Sequence, residues 1–144
     1  MVSFDVVSLF TKVPVNDLLV FLKEELENYD LPLSSTKMIG LVRLCIIDCK
    51  FCFNDEFYVQ KFGMAIGNPL TPVLSNIHME YFEKRILQRI LPTKVVWYRY
   101  VDDIFCVWPI DVNLQAFINR LNTFVPSFKF TLDKKKLYVV ILRC

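Results

Sequence analysis

The pattern of hydrophobic and polar positions divides the chain into short, regular segments. Residues 2–7 are apolar and β-branched around a single acid, Asp5, and this pattern predicts a buried strand. Leucines at helical spacing follow, and they predict a helix that Pro14 introduces and Asn16 caps. The chain is therefore expected to begin with a strand and then a helix.

A strongly apolar helix and a hairpin are predicted next. Ser34 or Ser35 can cap a helix that runs to about Cys49, and its apolar composition leads us to expect that it is buried. Aromatic-rich runs at 51–53 and 57–60 flank a polar turn, which predicts two short strands joined as a hairpin.

A shaped loop and a long helix occupy the centre of the chain. Residues 62–72 carry two glycines and two prolines in an uncharged stretch, which indicates a loop of defined conformation. Apolar residues at helical spacing then predict a helix from about Thr71 to Leu91, and Pro92 ends it.

Two neighbouring acids are the most informative feature of the pattern. The runs at 95–101 and 104–108 are β-branched and aromatic, and only Asp102 and Asp103 separate them. This arrangement predicts two strands joined by a tight turn, with both acids at its tip.

The remaining elements define a fold class. A helix beginning near Pro109 and Asp111 and two short strands, at 128–132 and 137–142, complete the prediction. No repeat, linker or change of composition divides residues 1–144, which favours one domain. The order of elements is typical of an α+β fold in two layers, an antiparallel sheet with helices packed on one side and a ferredoxin-like core.

Composition excludes several classes of protein. The 144 residues are 54% hydrophobic and 22% charged, so the chain can bury a core and is not a disordered tail. Its longest uncharged stretch, 62–79, is interrupted by glycine and proline, so no membrane-spanning helix is expected. Five cysteines, an odd number, and no recognisable secretory signal favour a reducing compartment, the cytoplasm or the nucleus.

The charged residues say less, because the formal net charge is only +2. Basic residues are nevertheless concentrated in two places, around Lys84 to Arg99 and in the run 134–136. A solvated face is the simpler interpretation of each group, and contact with nucleic-acid phosphates is the alternative.

Three closely spaced cysteines present a second alternative. The C-x3-C-x2-C spacing of Cys45, Cys49 and Cys52 resembles the loop that binds an iron-sulfur cluster in radical SAM enzymes. These cysteines, however, end a strongly apolar helical run rather than lying in a glycine-rich loop. Free cysteines packed as small hydrophobic residues are therefore the favoured interpretation.

A metal site is suggested by the acids. Asp5 is the only acid in an apolar strand, and burying a carboxylate without a cation or hydrogen-bond donors is unfavourable. If the first strand lies beside the hairpin at 95–108, Asp5 faces Asp102 across the sheet. Three carboxylates on a rigid sheet are hard oxygen ligands of the kind that Mg²⁺ prefers.

The sequence resembles the reverse transcriptases, most closely those of Penelope-like retroelements, in three ordered blocks. Residues 3–10 (SFDVVSLF) resemble the first catalytic block, in which a bulky aromatic follows the acid by five positions. Residues 63–72 (GMAIGNPLTP) resemble the second block, and residues 98–103 (YRYVDD) resemble the catalytic hairpin. The resemblance implies a palm-type domain over residues 1–144 and covers only the palm subdomain, with the fingers and thumb missing.

The resemblance also implies roles for particular residues. It makes Asp5, Asp102 and Asp103 catalytic ligands of two Mg²⁺ ions, which Mn²⁺ could replace, in the transfer of a nucleotide from dNTP to a primer 3′-hydroxyl. Nucleotide contacts are implied for four residues and nucleic-acid contacts for two. These are Phe10, which would exclude a ribose 2′-hydroxyl, Gly67, Asn68 and Pro69, and then Arg99 and Tyr100.

The implied partners are an RNA template, a DNA primer and dNTP, and no association with a membrane is implied. Asn68 stands where the family usually has serine, and the cationic residues of the fingers are absent. Weak binding and little or no activity are therefore expected of this chain. The alternative is a catalytically dead remnant that at most binds nucleic acid, and Trp97 and Tyr98 would serve binding in either case. A nucleotide cyclase is disfavoured, since its Gly-Gly-Asp or Gly-Gly-Glu hairpin is missing.

Overall fold

The structure, a computed structural model, describes residues 1–132. Its contacts divide the chain into two compact units. Unit 1 joins Met1–Leu9 to the residues from Glu80 onward, and unit 2 comprises Phe10–Met79. The even composition of the sequence contains no sign of this division, and the assignment of the whole chain to one palm subdomain stays a prediction.

The elements follow the predicted order closely. The strands are β1 (Val2–Val7), β2 (Lys50–Phe53), β3 (Glu56–Val59), β4 (Val96–Tyr100), β5 (Asp103–Val107) and β6 (Lys129–Leu132). The helices are α1 (Leu9–Lys12), α2 (Val15–Leu26), α3 (Ser35–Ile46), α4 (Leu70–Phe82), α5 (Gln88–Ile90) and α6 (Leu114–Phe124), with a π-helical turn at Glu83–Leu87 between α4 and α5.

Unit 1 contains an antiparallel sheet with the strand order β4-β5-β1-β6. Helices separate β1 from β4 and β5 from β6, so the connectivity is that of a ferredoxin-like βαββαβ motif. The predicted α+β fold and antiparallel sheet are confirmed.

The two faces of this sheet differ sharply in burial. Phe4, Val6, Ile104 and Phe130 are at most 1% exposed and form the packed face. The helical layer covers that face, where the rings of Phe82 and Phe130 lie 5.5 Å apart. Because side chains alternate along a strand, the neighbouring residues project from the opposite, open face.

A half-buried asparagine binds the outer strand β6 of unit 1. Asn122 in α6 bonds both backbone groups of Phe130, through Nδ2 to the carbonyl (3.1 Å) and Oδ1 to the amide (2.8 Å), and so covers an edge of the sheet. Burial raises the pKa of the Cys106 thiol to about 12, which keeps this cysteine protonated and unreactive.

Two predicted helix starts need correction, that of α2 in unit 2 and that of α6 in unit 1. Asn16 is not the N-cap, because α2 begins at Val15 and the amide of Leu18 bonds the carbonyl of Pro14 at 3.0 Å. Proline suits this position because its ring already holds φ near the helical value. The start of α6 also differs: Asn113 caps it by accepting a hydrogen bond from the amide of Ala116 at 3.0 Å.

The prediction that the apolar helix α3 is buried is wrong. Ile46 is its only buried residue, whereas Leu41 is 54% and Leu44 80% exposed. The predicted hairpin is present as β2 and β3, but every residue of both strands is exposed. Apolar composition therefore did not indicate burial in this part of unit 2, since burial depends on a packing partner.

The strand at 137–142 and the lysines at 134–136 lie outside the described residues. Among residues 1–132, no helix is long and apolar enough to cross a membrane.

Candidate active site

The sheet of unit 1 brings together acids that are far apart in sequence. Asp5 of β1 and Asp103 of β5 are directly opposite partners in the antiparallel ladder. Partners of this kind project from the same face, and here it is the open one. The amide of Val6 donates to the carbonyl of Asp102 at 3.1 Å, which places the backbone of the third acid next to β1, one residue from Asp5. Asp5 is half-buried, whereas Asp102 and Asp103 are exposed.

The turn between β4 and β5 differs by one residue from the prediction. Tyr100 pairs with Asp103, so the two-residue tip consists of Val101 and Asp102, and Asp103 is the first residue of β5. We refer to β4, this tip and β5 as the carboxylate hairpin. The prediction that Asp5 faces Asp102 is therefore wrong, because the register moves Asp103 from the tip into the ladder, where it faces Asp5.

The tip has an unusual backbone. Val101 has φ of 55°, while Asp102 is not among the residues with positive φ, which is the pattern of a type II′ turn. Glycine is the usual residue at that position, because a β-branched side chain is sterically disfavoured at positive φ. The surrounding structure must therefore hold Val101 in place.

The acids suit a divalent cation in part. Within residues 1–132, no group of three or more His, Cys, Asp or Glu side chains is placed so that it could hold a metal ion. Mg²⁺, however, commonly binds one or two carboxylates and completes its shell with water and substrate phosphates. The opposed pair of Asp5 and Asp103, with Asp102 beside it, fits that donor set. Cys45, Cys49 and Cys52, which all lie within the described residues, do not form such a group.

A cavity of about 390 Å³ opens next to the acids on the same face of the sheet. Its lining includes Asp103, Ser3, Tyr98, Tyr100 and Phe105. Tyr98 is 66% and Tyr100 81% exposed, so their rings are available to a ligand. Exposed aromatic rings beside carboxylates offer stacking surfaces for nucleobases or sugars.

Arg99 is engaged with the protein rather than exposed. Its Nε lies 2.7 Å from Oε1 of Glu83, its Nη2 lies 3.3 Å from Oε2, and its side chain is only 6% exposed. Of the two residues predicted to contact nucleic acid, Tyr100 is thus the accessible one. Contact of either with nucleic acid stays a prediction.

Trp97 has the same orientation as Arg99. Its indole Nε1 donates to Oε1 of Glu83 at 3.1 Å, and its ring stacks on Phe4 at 5.8 Å. The expectation that Trp97 serves nucleic-acid binding is therefore not supported, because alternation along β4 turns it to the packed face.

In unit 2, the first and second sequence blocks meet at their backbones. The amide of Met64 donates to the carbonyl of Phe10 at 2.8 Å. A Cβ on Gly63 would lie 2.3 Å from the carbonyl carbon of Thr11, and Gly63 has φ of 67°, so only glycine fits there. Phe10 itself is half-buried in α1.

The loop before α4 is ordered by its own side chains. Asn68 donates from Nδ2 to the carbonyl of Cys45 at 2.6 Å and accepts from the amide of Leu70 at 2.9 Å. Thr71 donates to the carbonyl of Ala65 at 2.8 Å. Asn68 therefore maintains a turn. Gly67 has φ of 95°, but a Cβ there would meet no protein atom, so its requirement for glycine is conformational.

His78 is a packed residue, as expected. It is 8% exposed, and burial lowers the pKa of its imidazole while the charge of Asp17 raises it. The net lowering keeps the ring neutral near pH 7.

Comparison with known proteins places the chain in a family. Residues 1–141 match the family described as reverse transcriptase (RNA-dependent DNA polymerase). The chain belongs to this reverse transcriptase family. No match was found among curated proteins.

A solved structure shares the fold. It is the structure of telomerase from Candida albicans in complex with a fragment of telomeric RNA, which superposes with a TM-score of 0.73 at 18% sequence identity. The match covers 99% of this chain but 27% of the telomerase chain. The reverse transcriptase resemblance and the palm-type fold are thus confirmed, whereas the Penelope-like assignment stays a prediction.

Sequence reasoning missed two residues that shape the site. Gly63 carried a signal, since it lies in the second block, but its tight approach to Thr11 is a tertiary contact. Glu83 carried none, because it reads as one charge among Glu80, Lys84 and Arg85 on a helix. Glu83 begins the π-helical turn at Glu83–Leu87, which interrupts the regular helical period.

Proposed function

We propose that this chain is the palm of an RNA-directed DNA polymerase, which transfers a nucleotide from dNTP to the 3′-hydroxyl of a primer on an RNA template. The observation that carries the proposal is the ladder pairing of Asp5 with Asp103, with Asp102 held beside them. Membership of the reverse transcriptase family supports it.

Asp5, Asp102 and Asp103 would hold two Mg²⁺ or Mn²⁺ ions together with the phosphates of the substrate. When bound, such ions activate a hydroxyl nucleophile and stabilise the charge of a pyrophosphate leaving group. The sheet supplies positioning: a rigid ladder keeps Asp5 and Asp103 opposite each other without reorganisation.

The open face would bind the nucleic acid. Tyr98, Tyr100 and Phe105 present aromatic surface beside Asp103, and a base or sugar stacked there would lie next to the carboxylates. In unit 2, Phe10 would exclude a ribose 2′-hydroxyl, and the loop at Gly67, Asn68 and Pro69 would bear on the incoming nucleotide. These roles follow the family resemblance.

Primer extension on an RNA template tests this function. We expect the parent chain to extend a primer with dNTPs and Mg²⁺ or Mn²⁺. Asp102→Asn should lower the rate by on the order of a thousandfold, since it removes one charge from the ligand set. Asp111→Asn, an exposed acid of the same unit, is the matched control and should extend like the parent.

Two results would contradict the proposal. Equal extension by the parent and Asp102→Asn would show that the acids are not catalytic. No extension by any variant, together with retained RNA binding, would favour the catalytically dead remnant that acts as a nucleic-acid-binding module.

A further inference from the structure

The carboxylate hairpin is held by a chain of contacts that begins outside it. Val101 has φ of 55° at the tip, a conformation that a valine does not favour by itself. Nη1 of Arg99 donates to the carbonyl of Val101 at 3.3 Å, and the amide of Val6 donates to the carbonyl of the next residue, Asp102, at 3.1 Å. These two hydrogen bonds hold consecutive carbonyls of the strained tip.

Arg99 is itself fixed by Glu83. The guanidinium uses two nitrogens on the two oxygens of Glu83, at 2.7 and 3.3 Å, in the fork geometry that makes arginine–carboxylate pairs directional. Trp97 adds a third donor to the same carboxylate at 3.1 Å. The side chains are 6% exposed for Arg99 and 23% for Glu83, so solvent screens this pair far less than a surface pair.

The position of Glu83 in the fold is equally specific. It is the first residue of the π-helical turn Glu83–Leu87, between α4 and α5. Phe82 and Leu87, on the same segment, are 2% and 3% exposed, so the backbone that carries Glu83 is anchored in the core. A carboxylate on an anchored backbone can fix the position of the guanidinium that it binds.

We propose that Glu83 is a positioning residue for the carboxylate hairpin. Through Arg99 it holds the carbonyl of Val101, and it thereby sets the direction in which the side chains of Asp102 and Asp103 project. The proposal rests on the proposed function, because the direction of these carboxylates matters only if they act together with Asp5.

The test uses Glu83→Gln, which keeps the size and one acceptor oxygen but removes the charge. The first readout is hydrogen exchange of the Val6 amide, measured by NMR, because this amide bonds the tip directly. We expect its exchange to accelerate on the order of tenfold, the effect of losing a charge-assisted hydrogen bond. The Phe130 amide, which bonds Asn122 in the same sheet, is the reference and should exchange at the parent rate.

The second readout is the affinity for Mn²⁺ alone, measured by electron paramagnetic resonance titration. Glu83→Gln should bind Mn²⁺ on the order of tenfold more weakly than the parent, and Asp111→Asn, with the same change of net charge, should bind it as the parent does. Asp103→Asn, which removes a predicted ligand, should lose most of the binding.

A second variant covers the case in which Glu83→Gln fails to fold because Arg99 is left buried and unpaired. The double variant Glu83→Gln with Arg99→Gln removes both charges and should fold. We expect it to show the same fast exchange at Val6, since the two residues act as one unit.

The outcomes are distinguishable. Parent-like exchange at Val6 and parent-like Mn²⁺ affinity in Glu83→Gln would overturn the positioning role, as would equal acceleration at Val6 and Phe130, which indicates general destabilisation. If Asp103→Asn binds Mn²⁺ like the parent, the proposed metal ligands are wrong and the proposed function fails. The Val6 amide still decides the role of Glu83 in that case.

Discussion

Two hairpins in this chain have the same loop length and opposite surroundings. The carboxylate hairpin of unit 1 turns at Val101 and Asp102, and the hairpin of unit 2 turns at Asn54 and Asp55. Strand β5 alternates between exposed and buried residues, whereas every residue of β2 and β3 is exposed. The carboxylate hairpin is thus part of a core, whereas the hairpin of unit 2 is held by the pairing of its own two strands.

The turn residues differ in the same sense. Asn54 and Asp55 have φ of 51° and 60°, the pattern of a type I′ turn, and these residue types tolerate the left-handed region. Val101 has φ of 55° but does not tolerate it well. Local turn chemistry therefore encodes the unit 2 hairpin, while the sheet and Arg99 impose the conformation of the carboxylate hairpin.

The largest expected effect is a difference between the two hairpins in the stability lost when a side chain is shortened. Ile104 in β5 is 0% exposed, and Ile104→Ala should lower the free energy of unfolding by about 2–5 kcal/mol because it leaves a cavity. Phe57 in β3 is 79% exposed, and Phe57→Ala should lower it by less than about 1 kcal/mol. Urea denaturation of both variants measures the difference, and equal losses would show that the hairpins are not distinct in this way.

The next effect concerns the backbone contacts that order unit 2. Gly63→Ala places a methyl group 2.3 Å from the carbonyl carbon of Thr11 and should destabilise the protein by about 2 kcal/mol or more. Gly67→Ala meets open space and carries only the cost of its positive φ, about 1 kcal/mol. Thermal unfolding followed by circular dichroism ranks the two variants, and the reverse order would refute the Gly63 contact.

Replacing a turn residue with glycine tests directly whether each turn is strained. Val101→Gly removes the side chain that disfavours φ of 55°, so it should raise the free energy of unfolding by up to about 1 kcal/mol after the entropy of glycine is counted. Asn54→Gly should change it by no more than about 0.5 kcal/mol, because asparagine already suits its turn. A clear loss of stability in Val101→Gly would mean that the valine is not strained.

The smallest effect is a pH dependence within unit 2. Burial lowers the pKa of His78 from its ordinary value of 6.5, so below that pH the unfolded chain binds a proton that the folded chain resists. His78 should therefore reduce stability as pH falls through 6.5, with no effect above it. The melting temperature measured at pH 5 and pH 7.5 should differ less in His78→Asn than in the parent, and an equal difference would exclude His78 as the cause.

Some elements of this fold were predictable because local chemistry decides them. The strand at Val2–Val7, the hairpin around Asn54 and Asp55, and the long helix ending before Pro92 follow from β-branching, turn residues and proline. The burial of α3 was not predictable in this way, because Leu41 and Leu44 are apolar yet exposed. An apolar pattern indicates which residues can be buried, and only a packing partner decides which are.

The same distinction between local and tertiary effects applies to the candidate site. The residues Asp5, Asp102 and Asp103 could be named from the sequence, because acids in apolar strands and three ordered blocks are visible without coordinates. Three features could be seen only in the folded chain. They are the ladder register that sets Asp5 opposite Asp103, the positive φ of Val101, and the ion pair of Arg99 with Glu83. The physical reason is the range of the interactions. Propensity and turn chemistry act over a few neighbouring residues. Register, strain and buried ion pairs depend instead on groups that the sheet and helices bring together from distant parts of the chain.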